Sequence, residues 1–190
     1  MAGFASPAVR ARPGAAPRWD GPVPRVVVAV AAPFPFLVLR PEKHGSLLVT
    51  IVRMDEDEWK SFIAEGTRTG KLATVRADGA PHIAPVWFLP DGDDLVFTTE
   101  NVTVKAHDML RDRRAAMCVD DGVPPCSHAV LWGHTGISED PRELLDWATR
   151  IVARYMGEER APEFGARNSV PGMLLVRMHV DRVSADAAIA

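Results

Sequence analysis

The chain is poor in cysteine and has no large excess of charge of one sign. Two of its 190 residues are cysteines, Cys118 and Cys126, which are too few for a disulfide framework or a complete zinc site. Their spacing matches no ligand motif, so we interpret both as reduced, partly buried thiols of a cytoplasmic protein. The formal net charge is −3. That balance argues against the basic surface that nucleic-acid binding requires.

Long uninterrupted apolar segments are also missing. The apolar run at residues 26–39 is too short to span a bilayer as a helix, and Pro33 and Pro35 interrupt it. Arginines precede the run, as in a signal or transit peptide, but no clean small-residue cleavage site follows it and hydroxyl residues are scarce. We therefore expect no membrane partner.

Charge and proline content divide the chain near Met54. Residues 1–53 hold seven basic and two acidic residues and eight of the sixteen prolines, whereas residues 54–190 hold 15 basic and 23 acidic residues. Such a reversal is typical of a boundary. We predict that residues 1–53 form a disordered extension outside the domain and that residues 54–190 form one domain. Deleting the extension should then leave the melting temperature and ligand affinity nearly unchanged.

Short strand patterns dominate the second part. Asp78-Gly79 and Asp91-Gly92 are typical hairpin turns, and the β-branched and aromatic segments around them alternate as strands do. The six predicted strands cover residues 72–76, 82–89, 95–99, 115–119, 128–137 and 173–183. Helices are predicted at 55–68, 104–112 and 141–156, and residues 158–171 as irregular chain. The pattern indicates a mainly β fold, an antiparallel β-barrel with peripheral helices.

Side chains that bind anions cluster before the second predicted helix. Thr98, Thr99 and Thr103 precede Lys105, which lies in the first turn of that helix. Unpaired amides at a helix N-terminus, together with an ammonium group and hydroxyls, form a phosphate site. A solvated lysine and ordinary strand threonines remain the alternative.

Several motifs together resemble one family. They are GKLATVRADGAPH at 70–82, PVWF at 85–88, DGDDLVFTT at 91–99, VKAHDMLRD at 104–112, WGHTG at 132–136 and RYMG at 154–157. This combination, over about residues 56–184, is similar to the pyridoxamine 5'-phosphate oxidase-like split-barrel family, and most of all to its branch of F420-dependent reductases.

The resemblance implies a six-stranded antiparallel split β-barrel that forms a homodimer, with the cofactor in a groove at the interface. It implies F420 as cofactor, or alternatively FMN, and Lys105 as the phosphate anchor beside Thr98 and Thr99. Pro85, Val86 and Trp87 would face the cofactor ring, although core or interface packing explains the tryptophan equally well. Hydride chemistry carried by a cofactor also explains why the sequence contains no catalytic motif of the HExxH, Walker or GxGxxG type.

Some residues do not fit this interpretation simply. Glu100 occupies the turn before Lys105 and would repel a phosphate if it pointed inward. Arg111, Arg113 and Arg114 are expected to be solvated or to form a basic cluster, and Arg177 is a weaker candidate to reach the cofactor.

Three functions remain open from the sequence. The first is a reductase that transfers hydride between F420 and an unsaturated small molecule. The second is an FMN-dependent oxidase or reductase, and the third is a non-catalytic flavin- or haem-binding protein on the same barrel. The dimer is expected to use the apolar residues 85–88 and 130–132.

Overall fold

A computed structural model describes residues 52–122 and 124–189 as one sheet with helices around it. The strands are β1 (Val52–Arg53), β2 (Gly70–Val75), β3 (Pro81–Val86), β4 (Leu89–Asp91), β5 (Asp94–Glu100), β6 (Arg114–Asp120), β7 (Cys126–Ser138) and β8 (Met173–Ile189). The helices are α1 (Glu56–Ala64), α2 (Val104–Arg111), α3 (Pro141–Met156) and α4 (Ala161–Arg167). Among the described residues, no helix is both long and apolar enough to cross a membrane.

The strands form an antiparallel split barrel. Their order in the sheet is β3-β2-β6-β7-β8-β5-β4, with β1 paired to β8. The long strands β7 and β8 hold its centre together, and their register shifts between Trp132 and Gly133. A side chain at Gly133 would place its Cβ 1.8 Å from the carbonyl oxygen of His179. Glycine therefore allows the close approach of two backbones at this bend.

The six predicted strands and three predicted helices are all present. Turns at Gly79 and Gly92 adopt positive φ angles of 83° and 64°, as the Asp-Gly pairs indicated. The structure adds two short strands, β1 and β4, because two or three residues carry too little periodicity to be recognised.

The prediction of irregular chain at residues 158–171 was wrong, because α4 occupies residues 161–167. This helix packs on α3, where a Cβ on Gly165 would lie 2.2 Å from the hydroxyl oxygen of Thr149. Seven residues are too few for a helix that is stable alone. Close contact with α3, rather than local sequence, therefore stabilises it.

The domain begins earlier than the charge reversal indicated. Val52 and Arg53, assigned above to the extension, pair with Ala187 and Asp186 of β8. Arg53 also forms an ion pair with Asp186, with nitrogen and oxygen 3.1 Å apart. These two residues belong to the sheet. The rest of the predicted extension, residues 1–51, lies outside the described residues.

Two apolar clusters stabilise the barrel. The larger fills its interior and includes Phe88, Phe97, Met117, Leu131 and Met178, none of which is accessible to solvent. The smaller one packs α3 on the outside of the sheet and contains Val96, Leu144, Trp147 and Leu175. Val96 and Phe97 are adjacent on β5 and point to opposite faces, so one strand serves both clusters.

Candidate functional site

A cavity of about 440 Å³ opens between the end of β3, the end of β5, the start of α2 and the middle of α3. Its walls include the six residues predicted from the sequence to bind a cofactor, namely Pro85, Val86, Trp87, Thr98, Thr99 and Lys105. Ile151 of α3, Asn168 and Met173 also line it, and the sequence reasoning did not identify these three. A volume of this size lies within the range of small-molecule and cofactor sites.

Trp87 forms part of one wall and is supported by a second aromatic ring. The indole of Trp87 stacks on the ring of Tyr155, with centroids 4.9 Å apart and planes 2° from parallel. The Tyr155 hydroxyl donates to the carbonyl oxygen of Arg68 at 2.7 Å. Burial raises the pKa of Tyr155 further above neutral pH, where the hydroxyl is in any case protonated. The hydroxyl bond holds Tyr155 in place, and Tyr155 in turn supports the exposed indole.

Arg154 fixes the end of α3 next to this wall. Its guanidinium donates to the carbonyl oxygens of Ile63 at 2.7 Å, Gly66 at 2.9 Å and Phe88 at 2.9 Å. Burial lowers the pKa of Arg154, and the three acceptors compensate for the lost hydration. Sequence reasoning assigned no role to Arg154 or Tyr155, although both lie in the RYMG motif. Their acceptors are distant backbone groups, which no side-chain pattern reveals.

Threonine hydroxyls bind one another on the opposite side. Thr103 donates to the carbonyl oxygen of Glu100 at 2.8 Å, and its hydroxyl oxygen lies 3.0 Å from that of Thr99. Because the single proton of Thr103 is already engaged, Thr99 is the donor in the second contact. Thr98 has no hydrogen-bond partner among the described residues, so its hydroxyl remains available to a ligand.

The start of α2 presents an unneutralised positive region to the cavity. Thr103 is the N-cap and accepts from the amide of Ala106 at 3.4 Å. The amides of Val104 and Lys105 precede the first helical acceptors and have no partner within the described chain. Lys105 likewise forms no ion pair with any described residue. An ammonium group and free amides at a helix N-terminus favour an anion.

Glu100 lines the same cavity and is exposed, so the carboxylate lies where the sequence analysis raised a conflict. No cation of the described residues pairs with it. The site therefore combines one ammonium group and one carboxylate.

The other arginines considered above bind elsewhere. Arg177 lies 2.6 Å from a carboxylate oxygen of Asp91 and 3.5 Å from one of Glu143, and it does not line the cavity. Arg111 pairs with Asp108, and Arg114 with Asp112 at 2.7 Å. Both are therefore neutralised locally by a carboxylate. Three carboxylates hold Arg177 outside this cavity, and its contact with a cofactor of either subunit stays a prediction.

Comparison with known proteins gives consistent matches. The family model described as pyridoxamine 5'-phosphate oxidase matches residues 55–185. A conserved hypothetical protein from Mycobacterium tuberculosis is 26% identical, with a TM-score of 0.64 over 73% of this chain and 87% of its own. An F420 reductase is also 26% identical, with a TM-score of 0.53 over 65% of this chain and 94% of its own.

A more distant structure shares the fold. A FAD-binding protein from Mesorhizobium loti is 16% identical, with a TM-score of 0.57 over 75% of this chain and 99% of its own. No curated protein sequence matches the chain.

Proposed function

Because the chain belongs to the pyridoxamine 5'-phosphate oxidase family, we propose that it is an oxidoreductase that transfers hydride between F420 and an unsaturated small molecule. One observation carries the proposal. A flat aromatic wall and an unpaired cation with free amides lie on the same cavity, as a ligand with a planar ring and a phosphate requires. The similarity to an F420 reductase favours the deazaflavin over FMN.

The residues present fit such a cofactor. Trp87, Ile151 and Met173 offer apolar surface to a ring system, and Pro85 has no amide hydrogen that would be left unsatisfied beneath it. Lys105, the amides at the start of α2 and the Thr98 hydroxyl can bind a phosphate. When bound, the deazaflavin supplies or accepts the hydride.

The protein's part in the reaction is to bind and orient. Tyr155 fixes the plane of Trp87, and Trp87 would fix the plane of the ring. Lys105 would set how far the cofactor lies along the cavity, because a phosphate held by one ammonium group has a defined position. No described side chain in the cavity is arranged as a nucleophile with its base, which agrees with a reaction carried by the cofactor.

A homodimer completes this proposal. β3 is at one end of the sheet order, and it exposes Ile83 and Pro85, with Trp87 exposed directly after its end and Ile83 67% exposed. The same Pro85 and Trp87 line the cavity, so a second copy packed on this strand would also cover the cofactor ring.

The surface expected from residues 85–88 and 130–132 needs correction. Val86, Phe88 and Leu131 are buried in the chain's own core, and Trp132 is covered by the guanidinium of Arg182 at 4.1 Å. Alternation along the strands turns Val86, Phe88 and Leu131 inward, which a short apolar run does not reveal. Light scattering on wild type and Ile83→Asp tests the revised surface. We expect the wild type to be a dimer and Ile83→Asp to be a monomer. A wild-type protein that is monomeric with its cofactor bound would contradict the dimer.

A binding titration decides between the functions. The full chain is titrated with F420 and with FMN, and turnover is then followed with reduced F420 and a panel of unsaturated acceptors. We expect tighter binding of F420, and oxidation of the reduced form only when an acceptor is present. Tight FMN binding with FMN-dependent turnover would favour the second function. Binding without turnover, or a haem absorption band, would favour the third.

A further inference from the structure

Two histidines lie side by side in a cavity of about 350 Å³ that shares no residue with the cofactor cavity. His134 of β7 is directly opposite His179 of β8, and the centroids of their imidazole rings are 5.2 Å apart. Their neighbours Thr135 and Met178 are buried, so alternation turns both rings to the outer face of the sheet. The two side chains are 56% and 52% exposed, so a solute can reach both rings.

A carboxylate holds each imidazole by the same ring atom. Nδ1 of His134 lies 3.1 Å from a carboxylate oxygen of Asp181, and Nδ1 of His179 lies 2.9 Å from one of Asp94. Because a carboxylate accepts, Nδ1 is the donor, and the lone pair of a neutral imidazole is then on Nε2. Neither Nε2 has a hydrogen-bond partner among the described residues. Carboxylates orient metal-ligating histidines in this way.

The charge around the pair favours a cation over an anion. Two guanidinium groups, those of Arg113 and Arg177, line the cavity. Four carboxylates belong to its lining residues or pair with them, namely Asp91, Asp94, Glu143 and Asp181. With neutral imidazoles the net charge is therefore −2. This charge would repel an anion, whereas a divalent cation would neutralise it.

The spacing of the rings fits a single tetrahedral ion. An imidazole nitrogen binds zinc at about 2.0–2.1 Å, which places each ring centroid roughly 3.2 Å from the ion and two centroids roughly 5 Å from each other. The centroids of His134 and His179 have this separation. Within the described part of the chain, no group of three His, Cys, Asp or Glu side chains could hold a metal ion. Two positions of the ion would therefore be filled by water.

We propose that the Nε2 atoms of His134 and His179 bind one divalent transition-metal ion, Zn²⁺. Imidazole suits zinc and its neighbours in the first transition row, whereas magnesium and calcium prefer oxygen ligands. The two ligands belong to β7 and β8, so the ion would join these strands next to the register shift at Gly133. A ligand that binds only the folded state stabilises it. The site does not depend on the proposed oxidoreductase activity.

Calorimetric titration of the full-length protein with zinc chloride tests the site. We expect His134→Ala and His179→Ala each to lower the zinc affinity at least tenfold, because one imidazole remains. Asp181→Asn keeps both ligands but weakens the support of His134, and we expect an affinity loss of about tenfold. His107→Ala is the matched control, because His107 is an exposed histidine of α2 outside this cavity, and it should bind zinc as the wild type does.

Two further measurements do not rely on the folding of a single variant. Zinc should raise the melting temperature of the wild type and of His107→Ala, but not that of the double variant His134→Ala/His179→Ala. Cobalt(II) added to the wild type should shift and broaden the imidazole NMR signals of His134 and His179 and leave that of His107 unchanged. Equal zinc affinities for the wild type and both alanine variants, or cobalt effects that spare this pair, would overturn the proposal.

Discussion

Trp87 and Tyr155 stack face to face although they are 68 residues apart in sequence, and Trp87 lines the candidate cavity with Tyr155 supporting it. Such pairs contribute about 0.5–1.5 kcal/mol beyond their buried area. The contact joins the residue that follows the edge strand β3 to the last turn of α3. The orientation of the wall therefore depends on how this helix end is held.

Replacing Tyr155 should loosen the wall. Tyr155→Leu removes the ring beneath Trp87, and we expect about a three- to tenfold loss of affinity for riboflavin as well as for phosphorylated cofactors. Tyr155→Phe keeps the stacking and loses the hydroxyl bond to Arg68, so it should lower the free energy of unfolding by about 1 kcal/mol with little change in affinity. Ligand titration and denaturant unfolding measure the two effects. Equal affinities for Leu and Phe variants would show that the stacking has no role in binding.

Replacing Lys105 should remove the phosphate anchor. A charge-assisted contact contributes about 1.5–3 kcal/mol. Lys105→Ala should therefore lower the affinity for a phosphorylated cofactor by roughly tenfold to a hundredfold or more, and riboflavin should bind as before. Unfolding should hardly change, because Lys105 has no partner among the described residues. Arg142→Ala removes an exposed charge outside the cavity and is the control. Identical small losses for both ligands would identify Lys105 as a solvated lysine.

The three carbonyl bonds of Arg154 should matter for stability. Arg154→Met keeps an unbranched chain but leaves the oxygens of Ile63, Gly66 and Phe88 without this donor. We expect a loss of about 2–4 kcal/mol in the free energy of unfolding. Arg150→Met is the control, because Arg150 is exposed and pairs with Asp146, with nitrogen and oxygen 3.7 Å apart. This substitution should lower the free energy of unfolding by less than about 1 kcal/mol. Urea unfolding compares them, and similar losses would contradict the bracing role of Arg154.

Glycine at position 133 should be essential for the bend between β7 and β8. Gly133→Ala would place a methyl group 1.8 Å from the carbonyl oxygen of His179, so the strands must separate. We expect Gly133→Ala to lower the free energy of unfolding by several kcal/mol or to prevent folding. Gly136→Ala on the same strand places its Cβ 3.9 Å from the oxygen of Arg177 and should be tolerated. Thermal unfolding compares the two variants, and equal melting temperatures would refute the close approach of the backbones.

The pH dependence of stability should include a contribution from His179. A hydrogen bond to Asp94, 2.9 Å away, raises the pKa of this imidazole above its ordinary 6.5. Because folding raises the pKa of His179, its contribution to stability is complete at pH values below the pKa of the unfolded state. The contribution is lost as the pH rises through the pKa of the folded state. His179→Asn should therefore destabilise the protein more at pH 5.5 than at pH 8.5. An NMR titration that gives His179 a pKa at or below 6.5 would contradict this.

The sequence by itself determined the local elements and half of the site. Asp-Gly pairs defined the hairpins, alternation defined the six longer strands, and Thr103 with Lys105 indicated the helix start that faces the cavity. These features depend on neighbours within a few residues, so their signals are present in the linear chain.

Only the tertiary structure decided the rest. α4 forms because Gly165 packs against Thr149, and Val52 and Arg53 become a strand because β8 offers them an open edge. Tyr155 and Arg154 reach backbone oxygens of residues 63–88, to which they are not linked by any sequence pattern. Phe88 and Leu131 face the barrel interior because strand register turns them inward. Each of these outcomes depends on contacts between segments distant in sequence, and the free energy of such contacts is absent from any local pattern.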